Sequence, residues 1–485
     1  IGGLMPINSF LYPAPSTPSF GYDVANSVRL NAGDNPSGSV TQGTPTNVDK
    51  YTFSVWVKRA DIGASNSKIF SVSSGSTYGE EKLEFNNDDV IWRQTEPSEG
   101  NTNWERVTDR KFRDASAWYN IIVAYDSSQG TAADRCKMYI NGVQETSFSS
   151  SSNPSSGQDS YTNTSGRALK FFALHENVNS QNAGAYFAEM VYVDGQQLDQ
   201  TSFGEFDSDS PNIWKPIDVS ELTFGNNGFY LDFEDGSALG NDVSGNNNDV
   251  TFSNIASTDQ STDTCTNNFA TMNPLDNYYA SNTYSEGNIK FVTKASGGFA
   301  YGTSTIGLSS GKWYAEFDCI ATTDSGAYHQ VGIVEKPSAS TTTSATANIG
   351  SSAYSWGYYA ADGKSRNSAS YSTYGDSWTT GNIIGVYLNL DDNELRFSKD
   401  GVIQNSGTAI SITAPASNGT GHYFITAGGM STNASVTFEA NFGNPFQSQS
   451  SSVSDANGYG AFEYSPTLSG VNYYSINTKN LAEFG

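Results

Sequence analysis

Two aspartates, Asp242 and Asp249, lie close together in a polar stretch and carry the side chains that metal ions bind. The stretch is DVSGNNNDV, residues 242–250, which also contains three asparagines and a glycine. Oxygen ligands on a tight loop are what Ca²⁺ prefers, so these carboxylates are candidate metal ligands and Ca²⁺ is the candidate cofactor. Asn and Asp also stabilise turns without a metal, because their side chains bond to nearby backbone groups. The sequence favours this plain turn over the calcium site.

A second stretch, AYSWGYYAADGKSRNSASYSTYGDSW at 353–378, is rich in tyrosine and tryptophan. Such side chains offer flat apolar area with a polar edge, which suits sugar rings and protein partners. Basic residues within it stand out in an acidic protein and could meet an anionic group. The candidate ligand-binding residues are therefore Tyr371, Tyr374, Trp378, Lys364 and Arg366. The alternatives are loop packing for the aromatic residues and a solvated surface position for the basic ones.

The paired carboxylates that retaining glycoside hydrolysis requires are incomplete in this chain. EFDCIA at 316–321 places Glu316 and Asp318 in the alternating Glu-x-Asp-x-x-Glu arrangement of one family of jelly-roll glycosidases. Ala321 occupies the position of the last acid. The sequence also contains no GxSxG nucleophile elbow and no glycine-lysine phosphate loop. We therefore expect a protein that is not an enzyme.

Length and charge restrict the classes of partner. At 485 residues the chain is long enough for two or three domains. Its 50 acidic and 25 basic residues give a net charge of −25, which disfavours nucleic acid as a partner. Three scattered cysteines argue against a disulfide framework or a zinc site. No apolar run is long enough for membrane insertion, and the N-terminus IGGLMPINSFLYPAPSTPSF lacks a signal-peptide pattern. Because the chain does not begin with Met, we expect a processed product or the ordered part of a longer protein.

The elements that must position the candidate residues are predicted to be β-strands. Aromatic residues make up 13% of the chain and alternate with Gly-, Ser- and Asn-rich turns, a composition typical of short strands. The alternation in TFSVWVKR, residues 52–59, predicts two opposite faces, one with Phe53, Val55 and Val57 and the other with Ser54, Trp56 and Lys58. Many short strands of this kind build two-layer sandwiches or jelly rolls. The predicted fold class is all-β.

Two similar hairpins mark two related regions. KMYINGVQ at 137–144 turns on Asn-Gly, and RFSKDGVIQ at 396–404 turns on Asp-Gly. Both dipeptides tolerate the positive φ that a tight hairpin turn requires. With FSVWVK at 53–58 and WYNIIV at 118–123, the first region resembles the laminin-G-like, concanavalin-A-like sandwich family. The resemblance implies a β-sandwich of a kind that often carries Ca²⁺.

The second region resembles a SPRY domain. Its motifs occur in the family's order: GKWYAEF at 311–317, VGI at 331–333, SWGYYAADGK at 355–364, TGNIIGVYLNLDDNELRFSKDG at 380–401 and ANFGNPF at 440–446. The resemblance implies a second sandwich, in which Trp356 and Tyr358 belong to a buried core strand. Both hairpins are then the same structural device in two related domains.

These resemblances define the expected organisation of the chain. We expect an extended N-terminal arm at 1–19, a laminin-G-like β-sandwich at 20–205, a turn-rich connector with some strand at 206–296, a SPRY-like β-sandwich at 297–446 and an irregular C-terminal tail at 447–485. The predicted architecture is two concanavalin-A-like or jelly-roll β-sandwich domains joined by a turn-rich connector.

The connector carries a further resemblance. GFYLDFEDGSALGNDVSGNNNDVTFSN at 228–254 is similar to strings in virion fibre or surface proteins of marine bacteriophages. This implies a non-enzymatic tail-fibre or spike protein on the virion surface, attached to a host-surface glycan or protein. It also implies contacts with other virion subunits and a homo-oligomer, with a trimer favoured. The alternatives are a capsid decoration protein and, third, an extracellular glycan hydrolase.

Overall fold

The computed structural model describes residues 21–76, 79–98, 100–278, 282–323, 328–335, 348–445 and 450–485, and the expected N-terminal arm at 1–19 lies outside them. Strands account for 44% of the residues and helices for 6%, and both large domains are β-sandwiches. The prediction of an all-β chain with two sandwich domains is therefore confirmed.

The first sandwich consists of two facing antiparallel sheets. In chain order its strands are β1 Ser27–Leu30, β2 Ser37–Thr41, β3 Lys50–Arg59, β4 Ser67–Ser73, β5 Glu80–Asn86, β6 Asp89–Thr95, β7 Thr102–Thr108, β8 Trp118–Asp126, β9 Cys136–Ile140, β10 Val143–Gln144, β11 Phe148–Ser152, β12 Ala168–Phe171, β13 Ala185–Asp194, β14 Gly204–Phe206, β15 Trp214–Pro216, β16 Phe229–Leu231, β17 Thr251–Ser253 and β18 Gln260–Ser261. One sheet has the order β10-β9-β8-β3-β13-β1-β18, with β16 also paired to β13, and the other has the order β11-β7-β6-β5-β4-β12-β2-β17. Strands β14 and β15 pair with each other.

An aromatic-rich core fills the space between these sheets. The inward face of β3 contributes Tyr51, Phe53, Val55 and Val57. Trp56 belongs to a separate cluster on the outer face of the same sheet, so the predicted alternation is confirmed. From the opposite sheet, the rings of Trp92 and Trp104 meet edge to face at a centroid distance of 4.8 Å. Aromatic rings prefer this geometry because the positive edge of one faces the negative face of the other.

The second sandwich contains the remaining strands and one α-helix. They are β19 Met272–Tyr278, β20 Thr283–Ser285, β21 Lys290–Ser304, β22 Lys312–Thr322, β23 His329–Val334, β24 Ser355–Tyr359, β25 Ser365–Asn367, β26 Ser370–Ser372, β27 Ile383–Asn389, β28 Glu394–Lys399, β29 Val402–Ile403, β30 Ile410–Ser411, β31 Phe424–Asn441, β32 Val453–Ser454, β33 Ala461–Phe462, β34 Thr467–Leu468, β35 Val471–Asn472 and α1 Thr478–Phe484. The main pairing order is β26-β25-β24-β23-β31-β22-β27-β28-β29, and β21 pairs with β31. Its core includes Trp313, Phe317, Tyr358, Phe397 and Phe438.

The segment at 206–296, predicted as a turn-rich connector with some strand, contributes strands to the sheets of both sandwiches. Strand β16 pairs with β13 and β17 pairs with β2, both in the first domain. Strands β19 to β21 belong to the second domain. Apolar side chains such as Phe229, Leu231 and Val250 lie in the first core, and their burial explains why this turn-rich segment is ordered.

The described part of the C-terminal segment at 447–485, which the sequence predicts as an irregular tail, forms short hairpins and the helix α1 and covers the second sandwich. The ring of Phe462 lies 4.8 Å from that of Tyr314 on β22, and Tyr473 lies 5.2 Å from Tyr387 on β27. Tyr314 and Tyr387 belong to a cluster separate from the main core, on the other face of their sheet. The C-terminal segment therefore buries the outer face of these strands.

The twin hairpin turns have the same environment in both domains. Gly142 has φ 74° and Gly401 has φ 75°, as the Asn-Gly and Asp-Gly turns require. A Cβ atom on Gly142 would lie 2.1 Å from Cε3 of Trp214, and one on Gly401 would lie 2.5 Å from Cδ1 of Tyr464. In each domain an aromatic side chain from a downstream segment thus covers the tip of the hairpin.

Polar contacts join the two sandwiches. Lys58 of β3 donates to Asp263 at 2.8 Å, Tyr186 to the carbonyl of Gly287 at 3.0 Å, and Asn288 to the carbonyl of Ala60 at 3.2 Å. Asn444, after β31, donates to Ser261 of β18 at 2.8 Å. Since these donors are buried, their partners fix the orientation of one domain relative to the other.

The substitution Gly142→Ala tests the covered hairpin. It should lower the free energy of unfolding by about 1–2 kcal/mol for the left-handed backbone and by about 1–3 kcal/mol more for the clash with Trp214. Gly157→Ala is the matched control, because Gly157 has φ 70° with no atom within 4 Å of its added Cβ. The free energies of unfolding can be measured by guanidinium denaturation. An equal decrease for Gly142→Ala and Gly157→Ala would contradict the contact with Trp214.

Candidate binding surface

A short hairpin at the edge of the second sandwich positions the candidate ligand-binding residues. Strands β25 and β26 pair across a two-residue turn at Ser368 and Ala369, whose φ angles are 48° and 60°. Non-glycine residues adopt this left-handed region only when the surroundings hold them there. Here the amide of Ala369 donates to the carbonyl of Gly350 at 2.9 Å and that of Ser368 to the carbonyl of Ser352 at 3.1 Å. The hairpin is thus fixed against a neighbouring loop.

Three tyrosines form a row beside this hairpin. Tyr371 is 47% exposed, and its ring centroid lies 5.5 Å from that of Tyr359. Tyr359 in turn lies 6.2 Å from Tyr328, which is 39% exposed. The guanidinium of Arg366, the cross-strand partner of Tyr371, lies 5.3 Å from the Tyr371 ring. We call Tyr328, Tyr359, Tyr371 and Arg366 the tyrosine patch.

The two basic candidates have different positions. Arg366 is only 9% exposed and donates to the carbonyl of Ile349 at 3.3 Å, so it supports the Tyr371 ring from below. The side chain of Lys364 is 44% exposed, and its ammonium donates to Asp362 at 2.5 Å. Such an exposed pair contributes little to stability, so both charges remain accessible to a ligand.

Two of the predicted ligand-binding residues belong to the core instead. Tyr374 is 5% exposed, and its hydroxyl accepts a hydrogen bond from the amide of Phe397 at 2.9 Å. Trp378 is 2% exposed and packs edge to face on His329 at 4.6 Å. The prediction that these two side chains contact a ligand is corrected, because the chain folds back after β26 and carries them inward. Trp356 and Tyr358 are buried, as expected for a core strand.

Two residues of the tyrosine patch, Tyr328 and Tyr359, are not among the ligand-binding residues predicted from the sequence. Tyr328 directly precedes β23, and Tyr359 is the last residue of β24, so both lie at strand ends. Since β23 and β24 are antiparallel neighbours, the start of one lies beside the end of the other. The pairing register of β23 and β24 makes the two tyrosines neighbours. The sequence alone does not give that register.

The aspartates proposed as calcium ligands serve the local backbone. Asp242 Oδ1 accepts from the amides of Tyr230 and Ser244, both at 2.9 Å, and Oδ2 accepts from that of Asn248 at 2.8 Å. Asp249 Oδ1 accepts from the amide of Asp242 at 2.9 Å. This geometry is that of the plain Asx turn. Within the described ranges, no group of three or more His, Cys, Asp or Glu side chains converges as a metal site.

The carboxylate considered for glycoside hydrolysis holds the C-terminal segment. Glu316 accepts hydrogen bonds from the amides of Glu463 and Tyr464, at 2.9 and 2.8 Å, and from the hydroxyl of Tyr314 at 2.9 Å. Burial raises the pKa of Glu316 to about 7, while the two amides act against that rise. Although such a pKa would suit a general acid, the C-terminal segment occupies the space that a substrate would need.

A charged cluster on the outer face of the first sandwich also lacks an available acid. Burial opposes ionisation of Glu80, but His175, Lys68 and Lys82 outweigh it and hold the pKa of this carboxyl at about 2. The Glu80 oxygens lie 3.3 Å from Nδ1 of His175 and 3.3 Å from Nζ of Lys82. A carboxyl that stays ionised near neutral pH cannot donate a proton to a leaving group.

Comparisons with known sequences identify both domains. Residues 32–172 match the model of the concanavalin A-like lectin/glucanases superfamily, and residues 312–443 match that of the SPRY domain. The chain therefore contains a concanavalin-A-like domain and a SPRY domain, as the two resemblances predicted. Domains of both kinds mostly bind ligands and do not catalyse reactions. Across the described ranges, no helix has the length and apolar character needed to cross a membrane.

Individual relatives are partial or distant. The chain is 32% identical over 113 residues to a probable ATP-dependent RNA helicase, ddx1, of Dictyostelium discoideum, and 29% identical over 115 residues to the ATP-dependent RNA helicase DDX1 of Xenopus laevis. These matches cover 23% and 24% of this chain but only 13% and 14% of the helicases. The chain thus spans a small part of either relative.

Solved structures similar to this chain include other SPRY domains. The SPRY domain of human HERC1 is 19% identical with a TM-score of 0.28, and the match covers 35% of this chain and 96% of that domain. Stonustoxin is 19% identical with a TM-score of 0.27, covering 36% of this chain and 27% of the toxin. A human SPRY domain is 18% identical with a TM-score of 0.23, and the match covers 31% of this chain and 91% of that domain. At these TM-scores the similarity adds nothing to the domain assignment.

The different positions of Trp378 and Tyr371 lead to a testable difference in stability. Trp378→Ala should lower the free energy of unfolding by about 3–5 kcal/mol, because it empties a buried site. Tyr371→Ala should change it by no more than about 0.5 kcal/mol, because that ring is half exposed. Both values can be measured by guanidinium denaturation followed by circular dichroism. A small loss for Trp378→Ala would contradict its assignment to the core.

Proposed function

We propose that the protein is a non-enzymatic bacteriophage virion surface protein, of the tail-fibre or spike type, that attaches to a glycan or protein on the host cell. The observation that carries this proposal is the tyrosine patch. Tyr328 and Tyr371 expose large aromatic faces at a fixed sheet edge, and such residues dominate binding energies at recognition surfaces. Their support by Tyr359 and Arg366 limits the conformational entropy lost on binding.

Two further observations support binding without catalysis. Both domains are of kinds that mostly bind ligands. In addition, Glu316 is covered by the C-terminal segment and Glu80 is held ionised, so neither is suited to act as the acid of a hydrolase. Neither carboxyl therefore favours a glycan hydrolase.

The proposed setting is a repeated array on the virion surface. A homo-oligomer, with a trimer favoured, would present several tyrosine patches at once and convert weak single sites into strong attachment. Other virion subunits would be its permanent partners. The net charge of −25 is consistent with an exposed, soluble surface and with the absence of nucleic acid among the proposed partners.

One observation favours the capsid decoration protein as a second candidate. Phe206 and Ile213, which are 42% and 57% exposed, flank Trp214 in the first domain. Together these three side chains form an apolar surface, which suits a permanent protein neighbour better than a hydrated glycan. In that case the first domain would bind the capsid without any need for a host ligand.

Binding to cells tests the leading proposal. Fluorescently labelled protein should bind saturably to cells of a susceptible bacterium from a panel of marine isolates. The double variant Tyr328→Ala, Tyr371→Ala should bind at least about tenfold more weakly, because loss of an aromatic hot spot costs 2 kcal/mol or more. EDTA should leave binding unchanged, since backbone amides bind the oxygens of Asp242.

The matched control is the double variant Phe206→Ala, Ile213→Ala, which removes a similar exposed apolar area from the first domain. It should bind cells as the unchanged protein does. Loss of cell binding in this control alone would contradict the role of the tyrosine patch. Absence of binding to any cell, together with saturable binding to stripped capsids, would support the decoration protein instead.

A further inference from the structure

We propose that Lys58 and Asn268 join in an intramolecular isopeptide bond, formed with the help of Asp263 and with release of ammonia. The inference is independent of the proposed binding function. It rests on three side chains brought together where the two sandwiches meet, namely an amine, a carboxamide and a carboxylate. An ordinary salt bridge needs only the amine and the carboxylate.

The amine is buried and held in place. Lys58 is 1% exposed, and its Nζ lies 2.7 Å from Oδ1 of Asn268, 2.8 Å from Oδ2 of Asp263 and 2.8 Å from the carbonyl oxygen of Phe269. The Tyr186 ring centroid lies 5.5 Å away and completes an apolar wall. Because the ammonium is removed from water, its nitrogen can act as a nucleophile once one proton has moved to a neighbour.

The carboxamide lies directly beside the amine. The Cγ atom of Asn268 lies one carbonyl bond beyond the oxygen that contacts Lys58, so nucleophile and electrophile are already neighbours. Its Nδ2 donates to the carbonyl of Ser116 at 2.6 Å, which fixes the amide plane. Asn268 is also only partly buried, so a departing ammonia molecule can reach the solvent.

The carboxylate is placed to accept a proton from the amine. Asp263 is fully buried, and its Oδ1 accepts from Nε1 of Trp118 at 3.1 Å and from the amide of Phe269 at 3.3 Å. These two donors leave Oδ2 directed at Lys58. A carboxylate beside a nucleophile and its target can serve as general base and then as general acid.

The reaction balances without any co-reactant. Asp263 takes one proton from the Lys58 ammonium, and the amine nitrogen attacks Cγ of Asn268 to form a tetrahedral intermediate. Asp263 returns that proton to the Asn268 nitrogen and accepts a second proton from the Lys58 nitrogen. The Cγ–Nδ2 bond breaks, and the Lys58–Asn268 amide and ammonia form. Asp263 is left protonated, and no electrons are exchanged.

The bond would close a long loop of the chain. Lys58 and Asn268 are 210 positions apart, and the link would connect β3 of the first sandwich to the segment that leads into the second. A covalent link of this kind stabilises a fold by restricting the unfolded chain. It would also replace a buried ion pair, whose desolvation is costly, by an uncharged amide.

Intact-mass spectrometry of the denatured full chain tests the proposal directly. The mass should be lower than that of the sequence by one ammonia molecule, about 17 Da. Proteolysis should release one peptide that joins the segments around Lys58 and Asn268. The variant Asn268→Ala should have the full mass expected from its sequence, whereas Asn444→Ala, which removes another buried interdomain asparagine, should keep the deficit.

The variant Asp263→Asn keeps both reacting groups and should show the full mass or a slow conversion. If this variant does not fold, the unchanged chain and Asn268→Ala still decide the question. A folded, unchanged chain with the full sequence mass would overturn the proposal. So would an ammonia loss without the joined peptide, because an asparagine that cyclises on its own backbone loses the same mass.

Discussion

One buried cation, the ammonium of Lys58, is the charged member of the set of polar contacts that joins the two domains. A charge removed from water is tolerated only when it is fully paired, and loss of a partner from such a site typically costs about 3–5 kcal/mol. The partners here, Asp263, Asn268 and the carbonyl of Phe269, all lie on the segment between the sandwiches. Folding of the first domain therefore anchors the start of the second.

This anchoring has a consequence for recognition. A rigid junction presents the tyrosine patch in one direction relative to the first sandwich. A flexible linker would let the patch adopt many directions. In the proposed array, binding would then cost less orientational entropy per site, and several copies on one particle could act together. The same reasoning explains why a binding protein would bury polar contacts such as Tyr186 to Gly287 at its centre.

Both sandwiches use a downstream segment to cover an outer sheet face. Trp214 covers the hairpin tip at Gly142, and Tyr464 covers the one at Gly401. Part of the outer sheet face of the second sandwich is thereby closed, as the contacts of Glu316 with Glu463 and Tyr464 show. In the second sandwich an exposed aromatic surface lies at the edge, on β26 and at the ends of β23 and β24.

Much of this fold could be predicted from the sequence, since it follows from local rules. The alternation in β3 and the Asn-Gly and Asp-Gly turns depend only on neighbouring residues, and both domain types follow from ordered motifs. Three-residue strands such as β16 and β17 could not be predicted, because their order comes from burial against distant strands. For the same reason the sequence did not separate exposed Tyr371 from buried Tyr374, three residues later.

The most direct measurement of the proposed role is the location of the chain on intact particles. The proposed role locates the protein on a phage particle, so gold-labelled antibodies against it can be applied to purified phage particles and imaged by electron microscopy. A tail-fibre or spike protein predicts label confined to the distal tail or its fibres. Label spread evenly over the capsid, or particles with no label at all, would contradict an attachment protein.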